Sequence, residues 1–124
     1  MKSIILLSLV FSFILSGCSS STKGNALLGK WTRSDGGYQL EIISVDAGGK
    51  VEAKYFNPNQ IHVSEATMKS EAGGIQLHVT LVDTGYPGCT YDLKLAEDGK
   101  QMSGIYFQAA LNQSYEVVFQ KDVP

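Results

Sequence analysis

From Gly29 onward, apolar and polar residues alternate along this chain with a period of two. Tyr38, Leu40 and Ile42 alternate with Gln39 and Glu41. Val51, Ala53 and Tyr55 alternate with Glu52 and Lys54. The same rhythm runs through Ile75–Leu81, Cys89–Leu95 and Tyr115–Phe119. One apolar face per segment is the pattern of a half-buried antiparallel strand. Turn-forming residues separate the runs: Asp35-Gly36-Gly37, Gly48-Gly49, Asn57-Pro58-Asn59, Gly73-Gly74, Tyr86-Pro87-Gly88 and Asp98-Gly99. Adding a short first strand at 29–33, a fourth at 61–70 and a seventh at 101–109 predicts eight strands and no helix. Such strands build a sandwich or a closed barrel, and closure removes the exposed edges that invite aggregation. An eight-stranded barrel is just wide enough to be filled by side chains or to hold one small ligand.

A weak internal repeat favours the barrel. At an offset of 51 residues, Val51-Glu52-Ala53-Lys54-Tyr55-Phe56-Asn57 matches Met102-Ser103-Gly104-Ile105-Tyr106-Phe107-Gln108. Both read apolar, any, small, any, Tyr, Phe, amide. Together with Leu28-Gly29-Lys30-Trp31 and Gly104-x-Tyr106, this resembles the lipocalin and avidin superfamily of small barrels. The resemblance implies an eight-stranded antiparallel up-and-down β-barrel over residues 28–124, with an early Gly-x-Trp plugging one end. The chain departs from the lipocalin pattern at Gln120-Lys121, where no Arg stands to pack on Trp31, and it lacks length for a C-terminal helix.

The N-terminus carries a different signal. Met1-Lys2 is basic, and the apolar run 4–15 is about 12 residues, well short of the roughly 20 that span a bilayer. Basic start, short apolar stretch and small residues at the end form a secretory leader. Leu15-Ser16-Gly17-Cys18 resembles the lipobox of bacterial lipoproteins. That resemblance implies cleavage after residue 17, acylation of Cys18 and anchoring in a membrane through N-terminal acyl chains. One chain anchors only marginally and several hold firmly. Ser19 in place of Asp leans toward an outer-membrane address facing the periplasm. Residues 1–17 are then signal peptide, and 18–27, small and polar, are the lipidated cysteine and a flexible tether.

Loss of Lys2 with the leader takes the formal net charge from −2 to −3. Such a chain offers no basic face for nucleic acid. With Cys18 acylated, Cys89 is left alone and reads as a buried small hydrophobe.

The face in phase with Val51 and Met102 gathers Tyr55, Asn57, Tyr106 and Gln108 at one end of the barrel, joined by Tyr38 and Tyr91. Aromatic walls with a few polar groups suit a small apolar or amphipathic ligand, or else form a filled core. Tyr86, in a loop stiffened by Pro87, Gly85 and Gly88, would stand at the mouth. Ile105, Phe107 and Val118 fall on the opposite, outward phase and mark a candidate partner surface. Asp83-Thr84-Gly85 resembles the triplet of retroviral-type aspartic proteases, but Tyr86-Pro87 follows it and a loop explains it fully. His62 and His78 do not make a zinc ligand set. No nucleophile elbow, P-loop or Cys–His pair is present. The sequence therefore predicts a lipid-anchored, non-enzymatic envelope protein without cofactor or metal, carrying a ligand in its barrel. The alternative is an interaction or inhibitor module that meets an envelope protein through its loops or outer face.

Overall fold

The computed structural model describes residues 23–124. The leader, the Leu15-Ser16-Gly17-Cys18 motif and the first part of the tether lie outside the described residues. A 3-10 turn, Asn25–Leu27, leads into nine antiparallel strands: β1 Gly29–Arg33, β2 Gln39–Val45, β3 Val51–Phe56, β4 Gln60–Ile61, β5 Val63–Glu71, β6 Gly74–Asp83, β7 Tyr86–Leu95, β8 Gln101–Gln108 and β9 Gln113–Lys121. They form a single sheet in the order β4-β3-β2-β1-β9-β8-β7-β6-β5, rolled into a nearly closed barrel. Consecutive strands pair, except that β4 and β5 stand at the two ends of the order, and β1 also pairs with β9 (Arg33 opposite Phe119).

The strand count is nine rather than eight because the segment expected at 61–70 breaks at His62. Its first two residues pair with β3, Tyr55 opposite Ile61. The chain then crosses to β6, where Val63 lies opposite Leu81. His62 is fixed at the break, its carbonyl accepting from the Val82 N–H at 3.1 Å and its own N–H donating to Asp83 at 2.8 Å. Across the remaining seam, β3 and β5 meet at a single bridge, Lys50 opposite Thr67, backed by the Met68 N–H on the Gly49 carbonyl at 2.7 Å. Gly49 has φ +88°, and a Cβ there would collide with the Met68 carbonyl oxygen, so only glycine lets the seam close.

Alternation becomes burial. In β6, Leu77, Val79 and Leu81 are buried while Gln76, His78 and Thr80 face outward. Each such apolar side chain contributes about 1.5–3 kcal/mol on leaving water. The repeat reappears in the pairing. Leu40 faces Tyr55 as Tyr91 faces Tyr106, and Ile42 faces Ala53 as Leu93 faces Gly104, each at the offset of 51.

The barrel has two distinct ends. At the base lie the 3-10 turn, the loops 46–50, 72–73 and 96–100, and the last residues of β9. Here Leu27 and Trp31 are fully buried, the indole N–H donating to the Leu27 carbonyl at 2.9 Å. Lys121 places its ammonium 5.3 Å from the Trp31 ring centroid and donates to the Ala26 carbonyl at 3.3 Å. A lysine thus stands over the tryptophan where the sequence offered no arginine. At the mouth lie the loops 34–38, 57–59, 84–85 and 109–112.

Candidate functional site

Every tyrosine of the chain stands at the mouth end, and the six form one connected cluster. Alternation on β3, β7 and β8 turns Tyr55, Tyr91 and Tyr106 inward. Tyr91 stacks on Tyr106 with centroids 4.6 Å apart, and Tyr55 lies 5.6 Å from Tyr91. Tyr86 meets Tyr55 edge-on at 6.3 Å, and Tyr115 lies nearly parallel to Tyr106 at 6.5 Å. The row therefore runs Tyr86–Tyr55–Tyr91–Tyr106–Tyr115, with its middle buried and its two ends at the rim.

Arg33 ties the sixth ring to the row. It is inward on β1, two residues after Trp31, and only 9% exposed. Its Nη1 donates to the Tyr91 hydroxyl at 2.9 Å, and Nε and Nη2 grip both oxygens of Asp35. Its guanidinium lies 3.9 Å from the Tyr38 centroid, a cation–π contact. Burial works against the charge, but the bonds to Asp35 and Tyr91 outweigh it and hold Arg33 firmly protonated. The same pair holds the Asp35 carboxyl below the usual carboxylate range. Tyr55 and Tyr91 bring their hydroxyls within 2.9 Å of each other. Burial pushes the hydroxyls of Tyr55, Tyr91 and Tyr106 up, so all three stay neutral. No buried side-chain nitrogen or oxygen among the described residues lacks a partner.

Most of the expected ligand residues thus come together: Tyr38, Tyr55, Tyr91 and Tyr106 directly, and Asn57 through a bond from its Nδ2 to the Tyr86 hydroxyl. Gln108 ends β8 opposite Gln113 and is half-buried, outside the hydrogen-bonded network. Tyr38 precedes β2 rather than lying within it, and folds over Gly36, where a Cβ would strike its ring. Tyr86-Pro87-Gly88 is not a turn. The turn is Thr84-Gly85, and the three residues begin β7. The ladder slips between Leu81 and Val82, opposite Gly88 at φ +86°, so the glycine marks a bulge. Tyr115, in phase with buried Val117 and Phe119, is nevertheless 42% exposed, because it is the member of that face nearest the rim.

The sequence reading missed Arg33, Asp35 and Tyr115. The first had a legible signal: a charge in inward phase with Trp31. Asp83 accepts from the backbone N–H groups of His62 and Thr84, which hold its carboxyl below the usual range. That is a turn cap, with one backbone N–H on each oxygen.

No protein-family model matches this chain, and no curated protein matches it significantly.

Two clefts open elsewhere on the barrel. One of about 820 Å³ lies over β5–β8 and is lined by Lys50, Glu65, Lys69, His78, Asp92 and Lys94 among others. The second, about 670 Å³, follows the β3–β5 seam. Neither is lined by any tyrosine. Ile105, Phe107 and Val118 do face outward. Ile105 is 40% exposed and the other two are half-buried. Asp92 and Glu116 flank Ile105, and Ser103 lies opposite Val118, so polar neighbours interrupt this apolar surface.

Proposed function

We propose that this chain is a non-enzymatic binding module that meets an amphipathic ligand at its tyrosine-lined mouth and is held to the envelope by acylated Cys18. The observation that carries this reading is the gathering of all six tyrosines into one connected cluster at one end of the barrel, with Arg33 joined to Tyr38 and Tyr91. The rings deep in the lumen are tied to one another, which leaves Tyr38, Tyr86 and Tyr115 as the surfaces a ligand would touch. Fixed aromatic walls with a few directional polar groups suit recognition, and their rigidity lowers the entropy cost of binding. The architecture is read as lipocalin- or avidin-like, an eight-stranded up-and-down barrel whose fourth strand is broken at His62. Gly29 at φ +121°, the plugging Trp31 and the overlying Lys121 support that reading. The outer-membrane address rests on the lipobox resemblance and Ser19.

Native mass spectrometry of the mature protein extracted from membranes tests the binding claim. A co-purified mass in the wild type should vanish in Tyr86→Ala/Tyr115→Ala, provided the variant still unfolds cooperatively. A bare wild-type mass, or a mass retained by that folded variant, overturns the mouth assignment. Cys18→Ala should release the protein from membranes, and unchanged retention would exclude acylation as the anchor. A protein partner is the second reading, favoured by Leu111, which stands 60% exposed on the 109–112 loop beside Tyr115. An added mass of protein size, lost in Leu111→Ser, would decide for it.

A further inference from the structure

We infer that the ligand met at the mouth is a neutral carbohydrate chain lying across the tyrosine rim; this rests on the mouth reading above and names its ligand class. The first argument is charge. Among the described residues, the four mouth loops contain no lysine or arginine and one acidic residue, Asp35, with Asp83 at the end of β6 beside them. Asp35 is taken by Arg33, and Asp83 by two backbone N–H groups. An anionic ligand finds no lysine or arginine in those loops, and the guanidinium beside them, Arg33, is already paired with Asp35. Neutral, hydroxyl-rich chemistry fits what remains.

The second argument is the pairing of rings with carboxamides. Asn57 holds the Tyr86 hydroxyl, and the Tyr115 hydroxyl donates to Gln113 Oε1. Each rim ring is thereby fixed in orientation, Tyr115 also by its near-parallel neighbour Tyr106. The Asn57 Oδ1 and the Gln113 Nε2 are left free of protein partners among the described residues, next to those rings. Asn59 and Asn112 add further amides in the mouth loops, and Gln60 one more at the start of β4. A sugar presents C–H groups on its ring faces and hydroxyls on its edges. The C–H groups pack on the electron-rich face of a tyrosine. Each hydroxyl both donates and accepts, as a carboxamide does. A free acyl chain would instead need the lumen, which Tyr55, Tyr91 and Phe119 fill.

The test uses the full-length protein in detergent, uniformly labelled with ¹³C and ¹⁵N, titrated separately with cellotetraose, maltotetraose and tetra-N-acetylchitotetraose. At least one should shift the Tyr86 and Tyr115 resonances saturably and leave the Trp31 indole at the base unmoved. Tyr115→Ala should weaken binding about tenfold, the worth of roughly one aromatic stacking contact. Gln113→Ala, which frees that ring without deleting it, should weaken it by less. No shift from any of the three at about ten times a millimolar Kd overturns the proposal. So does an equal response to a heparin tetrasaccharide, or saturable shifts confined to the β5–β8 cleft. If no sugar binds while native mass spectrometry still finds a mass that depends on Tyr86 and Tyr115, the carbohydrate assignment fails and the mouth stands.

Discussion

Tyr91 is the hinge of the buried polar network, and removing its hydroxyl has a calculable cost. It accepts from the Arg33 guanidinium and pairs with the Tyr55 hydroxyl, both at 2.9 Å. Tyr55→Phe removes one neutral hydrogen bond and leaves Tyr91 bonded to Arg33, a loss of about 1 kcal/mol. Tyr91→Phe removes a bond from a charged donor, worth about 1.5–3 kcal/mol, and strands the Tyr55 hydroxyl in the core, at about 1–3 kcal/mol more. The expected loss is about 3–4 kcal/mol, or roughly 15–25 °C in Tm for a domain of this size. The double variant no longer has a stranded hydroxyl. It should be no less stable than Tyr91→Phe alone, which gives a coupling of about 1–2 kcal/mol. Urea unfolding with an unchanged m-value measures all three. Equal losses for the two single variants, or additivity within about 0.5 kcal/mol, would refute the network as drawn.

Two further outcomes follow from the same core. Tyr55, Tyr91 and Tyr106 have hydroxyl pKa values raised by burial above the ordinary 10.0, so their contribution to stability is intact below pH 10.0 and is lost as pH rises beyond it. The urea midpoint should therefore fall above pH 10.0, with their phenolate absorbance appearing only as the barrel unfolds; ionisation of all six rings in the folded state would contradict this. Gly104→Ala should cost about 4 kcal/mol or more, because its Cβ would collide with the Asp92 carbonyl oxygen in the adjacent strand. A melting temperature within a few degrees of wild type would show that β7 and β8 can separate without penalty.

What the alternation revealed, and what it hid, share one cause. A period of two tells which face a residue occupies, but not how far along the barrel axis it sits. It therefore placed Tyr55, Tyr91 and Tyr106 inward and Ile105 and Phe107 outward. It also put Tyr115 with the buried Val117 and Phe119, although the rim leaves Tyr115 in water. In 61–70 the apolar phase slips from Ile61 and Val63 to Ala66 and Met68, which matches the bulge between Val63 and Glu65, but nothing marks the break at His62, which depends on that residue reaching both Val82 and Asp83. Proline and two glycines at 85–88 have the chemistry of a turn and equally that of a bulge, and only pairing distinguishes them. Arg33 is a different omission. Its inward phase was visible, but a buried guanidinium is tolerable only if partners exist, and these come from two separate segments, Asp35 and Tyr38 from the 34–38 loop and Tyr91 from β7. The cluster is thus a tertiary property assembled from residues whose individual signals are ordinary.

The two ends of the described chain share one pole of the barrel: the 3-10 turn enters at the base, and Asp122 returns there to donate its backbone N–H to the Lys30 carbonyl at 2.8 Å. Anything that holds the chain upstream of Lys23 therefore grips the pole opposite the tyrosines. A strand as long as β7, tilted as barrel strands are, lifts the rim about 25 Å beyond that grip. Tethered to a surface, the molecule is a short post with its aromatic crown outermost. A reporter fused after Pro124 would sit near the foot of the post and leave the crown unobstructed.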